Sequence, residues 1–262
     1  TFACLLAEAG TPTTLWARRD HVAAEINAGS NERYVPGRRL PEGVSATSDL
    51  GRAVEGADLI VVAVPSQSAR EVLSPLQGGL GPDVLAVSLM KGVELGTGLR
   101  MSQVLTEALD LPAERVAVIS GPNLADEIAA RQPTATVVAA TDEAVAARVA
   151  ALCATSTFRP YTNTDVLGVE LCGAIKNVIA LAVGAAVGCG FGDNSKATII
   201  TRGLVEITRL GMALGASPET FSGLAGLGDL VATCSSPLSR NQTFGRRLGE
   251  GMSVAQARRA SR

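Results

Sequence analysis

Apolar residues in the first half of the chain fall in short continuous runs, with helically spaced stretches between them. Residues 59–64 form such a run, as expected for a strand buried on both faces of a parallel sheet. Residues 84–89, 116–119 and 135–140 repeat that character, and 13–16 is strand-like. Residues 1–10 read as a short helix with Phe2, Leu5, Leu6 and Ala9 on one side and Gly10 as its stop. Helical stretches are also predicted at 20–28, 68–76 and 99–109. Strands alternating with helices in this way predict a doubly wound, Rossmann-like α/β sheet.

After a last strand-like piece at 158–161 the pattern changes. Helices are predicted at 166–187, 197–214, 241–248 and 253–259. The boundary is drawn at Asn163, giving an α/β domain over 1–163 and an all-helical domain over 164–262. That division suits a cofactor domain followed by a substrate domain, with the site between them.

The chain has 262 residues, 47% of them hydrophobic and 18% charged, so a sizeable core is expected. The net charge is -2 with both signs interspersed, which argues against nucleic-acid or membrane partners held by bulk electrostatics. The apolar stretch 178–191 carries several glycines and reads as a buried helix rather than a bilayer span. Five widely separated cysteines, with no Cys-x-x-Cys pair, read as free thiols in a reducing cytosol; their spacing argues against a metal site. The single histidine, His21, follows two arginines near a strand end and reads as a solvated helix residue. Acid–base chemistry is therefore left to Lys, Asp or Glu.

Ligands of open α/β sheets bind beyond the carboxyl ends of the strands. Arg18 and Arg19 follow the strand at 13–16, where arginine accommodates the extra phosphate of NADP and an acid would bind the ribose of NAD. Lys91 follows the run at 84–89 and can serve a phosphate as a point charge, or simply be a surface lysine. Ser120-Gly121-Pro122-Asn123 leads into a helix at 124–130; Gly121 permits close backbone approach, and Asn123 is expected to cap the helix. In the helical half, Lys176 and Asn177 interrupt an apolar helix. Lys176 is either buried with a lowered pKa or snorkelling from the helix rim. Asp229 lies in the glycine-rich turn 226–230, where it caps the next helix, pairs with Lys176, or does both. Ser239-Arg240-Asn241 opens a further helix: a Ser cap, an Arg fork and free N–H groups together suit a phosphate. Together these features suggest reduction of a small phosphorylated ketone.

The strings at 16–19, 62–66, 88–94, 120–123, 168–171 with 173–177, 190–194, 223–230 with 233–234, and 238–241 resemble the bacterial NAD(P)-dependent glycerol-3-phosphate dehydrogenase family, in order and across essentially the whole chain. The resemblance implies interconversion of dihydroxyacetone phosphate and sn-glycerol 3-phosphate with NADP or NAD. It implies Lys176 as proton donor and acceptor. Lys91, Gly121, Asn123, Lys176, Asp229, Ser239, Arg240 and Asn241 would contact substrate. Arg18, Arg19, Tyr34, Lys91, Ala125 and Arg240 would contact cofactor. It further implies a cytoplasmic homodimer feeding glycerophospholipid synthesis. The family's first strand and its G-x-G-x-x-G loop do not precede Thr1, and its last helices do not follow Arg262, so the chain reads as truncated at both ends and is expected to fold poorly by itself. The alternatives are a related two-domain reductase of another small ketone or hydroxy acid, and a catalytically dead fragment that acts only in subunit association.

Overall fold

The computed structural model describes residues 1–260. The chain divides into two compact units: Thr1–Met90 with Ser102–Ile119 and Asn123–Thr164, and Lys91–Met101 with Ser120–Pro122 and Asp165–Arg262.

The first unit is built on seven strands: β1 (Thr13–Trp16), β2 (Val44–Thr47), β3 (Leu59–Val62), β4 (Leu85–Ser88), β5 (Val116–Ser120), β6 (Thr134–Ala140) and β7 (Phe158–Asn163). β1 and β2 pair in parallel, from Thr13 opposite Val44 to Trp16 opposite Thr47. The other five lie in the order β3-β4-β5-β6-β7. The β3–β4, β4–β5 and β6–β7 pairs are parallel. The strands thus fall into two sheets, and among the described residues no strand pairs with the second edge of β1 or of β3.

The runs are apolar because both faces are covered. Ile60, Val62, Ala86 and Val116 pack with Leu73, Leu105 and Leu109. The alternate residues Leu59, Val61, Leu85, Val87, Ala117 and Ile119 pack with Val138, Ala146 and Val149. Each strand therefore divides its side chains between two cores, served by helices Ala69–Leu73 and Met101–Leu109 on one side and Glu143–Cys153 on the other. The opening helix, Phe2–Glu8, buries Leu5 and Leu6 against Phe158, and Gly10 follows it at φ +89°. One strand and two α-helices of this unit are absent from the sequence reading: β2, Leu50–Val54 and Glu143–Cys153. β2 has four residues, two of them Ser45 and Thr47, too few apolar positions to stand out from a loop.

The second unit is organised around the Val166–Gly188 helix. By length and composition this helix could cross a bilayer, yet half of its most apolar stretch is buried inside the fold. Its inward stripe is Val169, Cys172, Lys176, Ala180 and Val183, the three-and-four spacing of a core helix. Val178 lies off that stripe and is 68% exposed, and Phe191, beyond the helix end, is 59% exposed. Residues 178–191 are therefore not the uniformly buried segment expected. The Arg240–Gly249 helix crosses this one backbone to backbone. A Cβ at Gly184 would meet the Gln242 carbonyl oxygen at 2.0 Å, and one at Gly245 the Leu181 carbonyl oxygen at 2.1 Å. Only glycine allows that approach. The two helices run the same way, since Gly184 lies against Gln242 and Gly188 against Arg246, so the Ser239 end points back towards Lys176. The Asp193–Ala213 helix begins four residues before the expected start and buries only Ile207 and Gly211.

Candidate active site

Lys176 occupies a core position of its helix and is 5% exposed, so burial wins over snorkelling. Its ammonium donates to Asp229 Oδ1 and, at 2.6 Å, to Thr233 Oγ1. Asp229 and Thr233 are one turn apart on the Asp229–Ser235 helix, so both face the lysine. Asp229 stands in the first turn, where the helix dipole favours a carboxylate; the cap position is held by Gly228. The Leu224–Gly228 segment before it is one turn of π-helix, and a Cβ at Gly226 would lie 2.1 Å from the Phe221 carbonyl oxygen.

The second Asp229 oxygen accepts from Lys91, whose ammonium also lies 3.4 Å from the Gly121 carbonyl. Gly173, one turn before Lys176, faces Ser120 and the Lys91 stem: a Cβ there would sit 3.0 Å from Ser120 Oγ and in ordinary contact, at 3.5 Å, with Lys91 Cγ and Cδ. Two ammonium groups thus share one carboxylate and leave one positive charge unbalanced in a largely buried place. Burial, and then the charge of Lys91, lower the Lys176 pKa from 10.5 to about 8, against the opposing pull of Asp229. Burial also holds the neighbouring thiols neutral, with Cys172 pushed up to about 12 and Cys234 to about 11.

Four of the sequence-predicted residues, Lys91, Gly121, Lys176 and Asp229, therefore converge on one centre. Ser239 Oγ caps the Arg240–Gly249 helix by accepting from Gln242 N at 3.3 Å, with Arg240 exposed and Asn241 half-buried beside it. Asn123, Arg18, Arg19, Tyr34 and Ala125 belong to the first unit. Asn123 does not cap the following helix. Leu124 holds that position, and the Asn123 amide donates to Thr136 Oγ1 at 2.8 Å. The buried hydroxyl in β6 captures the side chain that a turn would otherwise have used. Arg18 and Arg19 are exposed just past β1, and neither guanidinium has an ion pair or hydrogen bond among the described residues. Such a pair fits the 2′-phosphate side of a dinucleotide. Tyr34 is 61% exposed under the Arg33 guanidinium, and Ala125 opens its helix on the surface.

Sequence reasoning gave no role to Thr233, although its spacing from Asp229 was a usable signal. A second signal was the rarity of lysine. The chain has 23 basic residues and only three lysines, Lys91, Lys176 and Lys196, two of which meet here.

Residues 1–146 match the model of the NAD-dependent glycerol-3-phosphate dehydrogenase N-terminus, and residues 165–262 that of its C-terminus. The chain belongs to this family. It is 60% identical over 256 residues to a glycerol-3-phosphate dehydrogenase [NAD(P)+] of Streptomyces griseus, covering 97% of this chain and 76% of that one. The Thermobifida fusca protein of the same name is 59% identical, again across 97% and 76%. Among solved structures, the glycerol-3-phosphate dehydrogenase of Coxiella burnetii superposes with a TM-score of 0.91 at 38% identity, covering 99% of this chain and 79% of that one. The family assignment thus agrees with the resemblance carried by the sequence strings, and with an α/β unit followed by helices.

Proposed function

We propose that this protein interconverts dihydroxyacetone phosphate and glycerol 3-phosphate with NADPH or NADH. The observation that carries the reading is the buried centre in which Lys91 and Lys176 share Asp229, because its excess positive charge suits a phosphorylated substrate whose carbonyl becomes an alkoxide. A bound nicotinamide supplies or accepts the hydride. Lys176 donates the proton to the carbonyl oxygen in reduction and withdraws it in oxidation, with Asp229 and Thr233 orienting its ammonium. Lys91, Gly121, Asn123, Asp229, Ser239, Arg240 and Asn241 bind the substrate; Arg18, Arg19, Tyr34, Lys91, Ala125 and Arg240 hold the cofactor. On the same reading the protein is a cytoplasmic homodimer that supplies glycerophospholipid synthesis. Free cysteines suit that compartment.

The test is oxidation of NADPH or NADH with dihydroxyacetone phosphate, for the protein and its Lys176→Ala variant. The variant is expected to lose ~10²–10⁴-fold in kcat. Reduction needs the protonated lysine, so its kcat/KM is level below about pH 8 and falls above it, while glycerol 3-phosphate oxidation rises through the same pH. Activity of Lys176→Ala within tenfold of the parent would remove Lys176 from the chemistry. A folded parent inactive with both cofactors would remove the substrate.

A further inference from the structure

The Lys91–Met101 segment belongs to the helical unit and is braced as a small closed loop. Val93 bridges Arg100, Glu94 N donates to Leu99 O at 2.8 Å, and Gly98 N donates to Glu94 O at 2.9 Å. Thr97 Oγ1 donates to the Glu94 carboxylate at 2.7 Å, which stiffens the tip. The loop is tied to the fold at both stems. At its start Lys91 reaches Asp229; at its end Arg100 forms an ion pair with Glu170, the two side chains 23% and 7% exposed. Glu170, Gly173 and Lys176 follow one another at three-residue steps on the same helix. Glu170 holds one stem, Gly173 faces the Lys91 stem, and Lys176 shares its carboxylate.

A largely buried ion pair is poor evidence for stability, and its best-attested use is to fix register. A lysine stem is flexible, so a shared carboxylate alone does not fix where the Lys91 backbone stands. We propose that Arg100 and Glu170 are positioning residues, whose ion pair sets the register of the Lys91 loop on the Lys176 helix and so holds the Lys91 ammonium in the centre. The proposal rests on the catalytic reading above for its consequence in turnover, but not for its geometry.

The prediction has a sign that separates it from direct electrostatics. The groups acting on Lys176 are Lys91 of the loop, and Asp229 and Cys234 of the facing helix; Cys172 on its own helix shares the fields of Asp229 and Lys91. Lys91 lowers the Lys176 pKa, so releasing Lys91 raises it. Merely deleting the Glu170 charge would lower it.

With three lysines in the chain, ¹³C-labelled lysine side chains are resolvable by NMR in the full protein, and their titration requires no turnover. Glu170→Gln is expected to move the Lys176 midpoint upward from about 8. Lys91→Met is expected to do the same, and Glu170→Gln added to Lys91→Met to give no further upward shift. Glu170→Asp, which keeps the charge and shortens the reach, should shift it in the same direction and serves if Glu170→Gln does not fold. A midpoint that stays or falls in the folded variant, or an upward shift that persists undiminished beside Lys91→Met, overturns the proposal. In parallel, kcat/KM for dihydroxyacetone phosphate should fall about tenfold in Glu170→Gln, the size of one lost positioning contact. An inactive parent with the expected NMR shifts would refute the substrate reading and leave the positioning role standing.

Discussion

The Val166–Gly188 helix buries twelve of its 23 residues, and the Asp193–Ala213 helix two of its 21. Both carry ion pairs. Those of the first join Lys176 to Asp229 and Glu170 to Arg100, with Lys176, Asp229 and Glu170 almost out of contact with water. Those of the second join Asp193 to Lys196, and Glu206 to Arg202 at 3.8 Å and to Arg209 at 3.2 Å, every side chain of them more than a third exposed. A hydrophobic residue of similar size would fill the Lys176 position at no desolvation cost. Charge kept where it is expensive points to chemistry, whereas charge on the outer helix needs only solubility and helix propensity to explain it.

The largest effect should come from Asp229→Asn. It removes the carboxylate that two ammonium groups share and leaves both without that counter-charge. Breaking a buried pair typically costs ~3–5 kcal/mol, to be read from urea unfolding at neutral pH. The cost has a pH signature. The Lys176 pKa in the fold, about 8, lies below its ordinary 10.5, so between those values the unfolded chain binds more protons and the parent gains stability as pH rises. Asp229→Asn removes the group that opposes this lowering, so its gain should begin at a lower pH. A loss under ~1 kcal/mol would mean that Asp229 does not carry the pair.

An intermediate effect is expected from Gly245→Ala, which tests the same helix without touching charge. The new Cβ would meet the Leu181 carbonyl oxygen at 2.1 Å, and backbone cannot step aside as a flexible side chain does. Overpacking of this kind costs ~1–3 kcal/mol. The Arg240–Gly249 helix should move outward and take the Ser239 end with it, so KM for the phosphorylated substrate should rise more than kcat falls. Unchanged KM in a destabilised variant would make the crossing structural only.

What could be read beforehand follows the same division. An amine inside an apolar helix was visible, but whether Lys176 faced inward depended on the stripe from Val169 to Val183 meeting Asp229, 53 residues further on. The Arg100–Glu170 pair spans 70 residues and left no local trace. Asn123 had the residue type and place of a cap, and was misread because Thr136, in a strand of its own, takes its amide. The continuous strands were legible because burial on both faces makes nearly every residue apolar, and β2 was not, because it is short and half polar. Fold class thus came from local periodicity, and the centre from residue types whose partners only tertiary structure supplies.

The smallest effect should come from Glu206→Gln. Its two arginine partners are 73% and 68% exposed, and their attraction is weakened by water and salt. Exposed pairs of this kind contribute ~0–1 kcal/mol, and the amide keeps the helix-forming side-chain length, so the urea midpoint should stay within error of the parent. The same substitution can also break the comparison. If stability fell by ~2 kcal/mol or more, and the loss grew with protein concentration, Glu206 would not be in water in the working protein. The outer helix would then be covered by a second copy, and its outward Val205, Leu210 and Met212 would belong to a core shared between subunits.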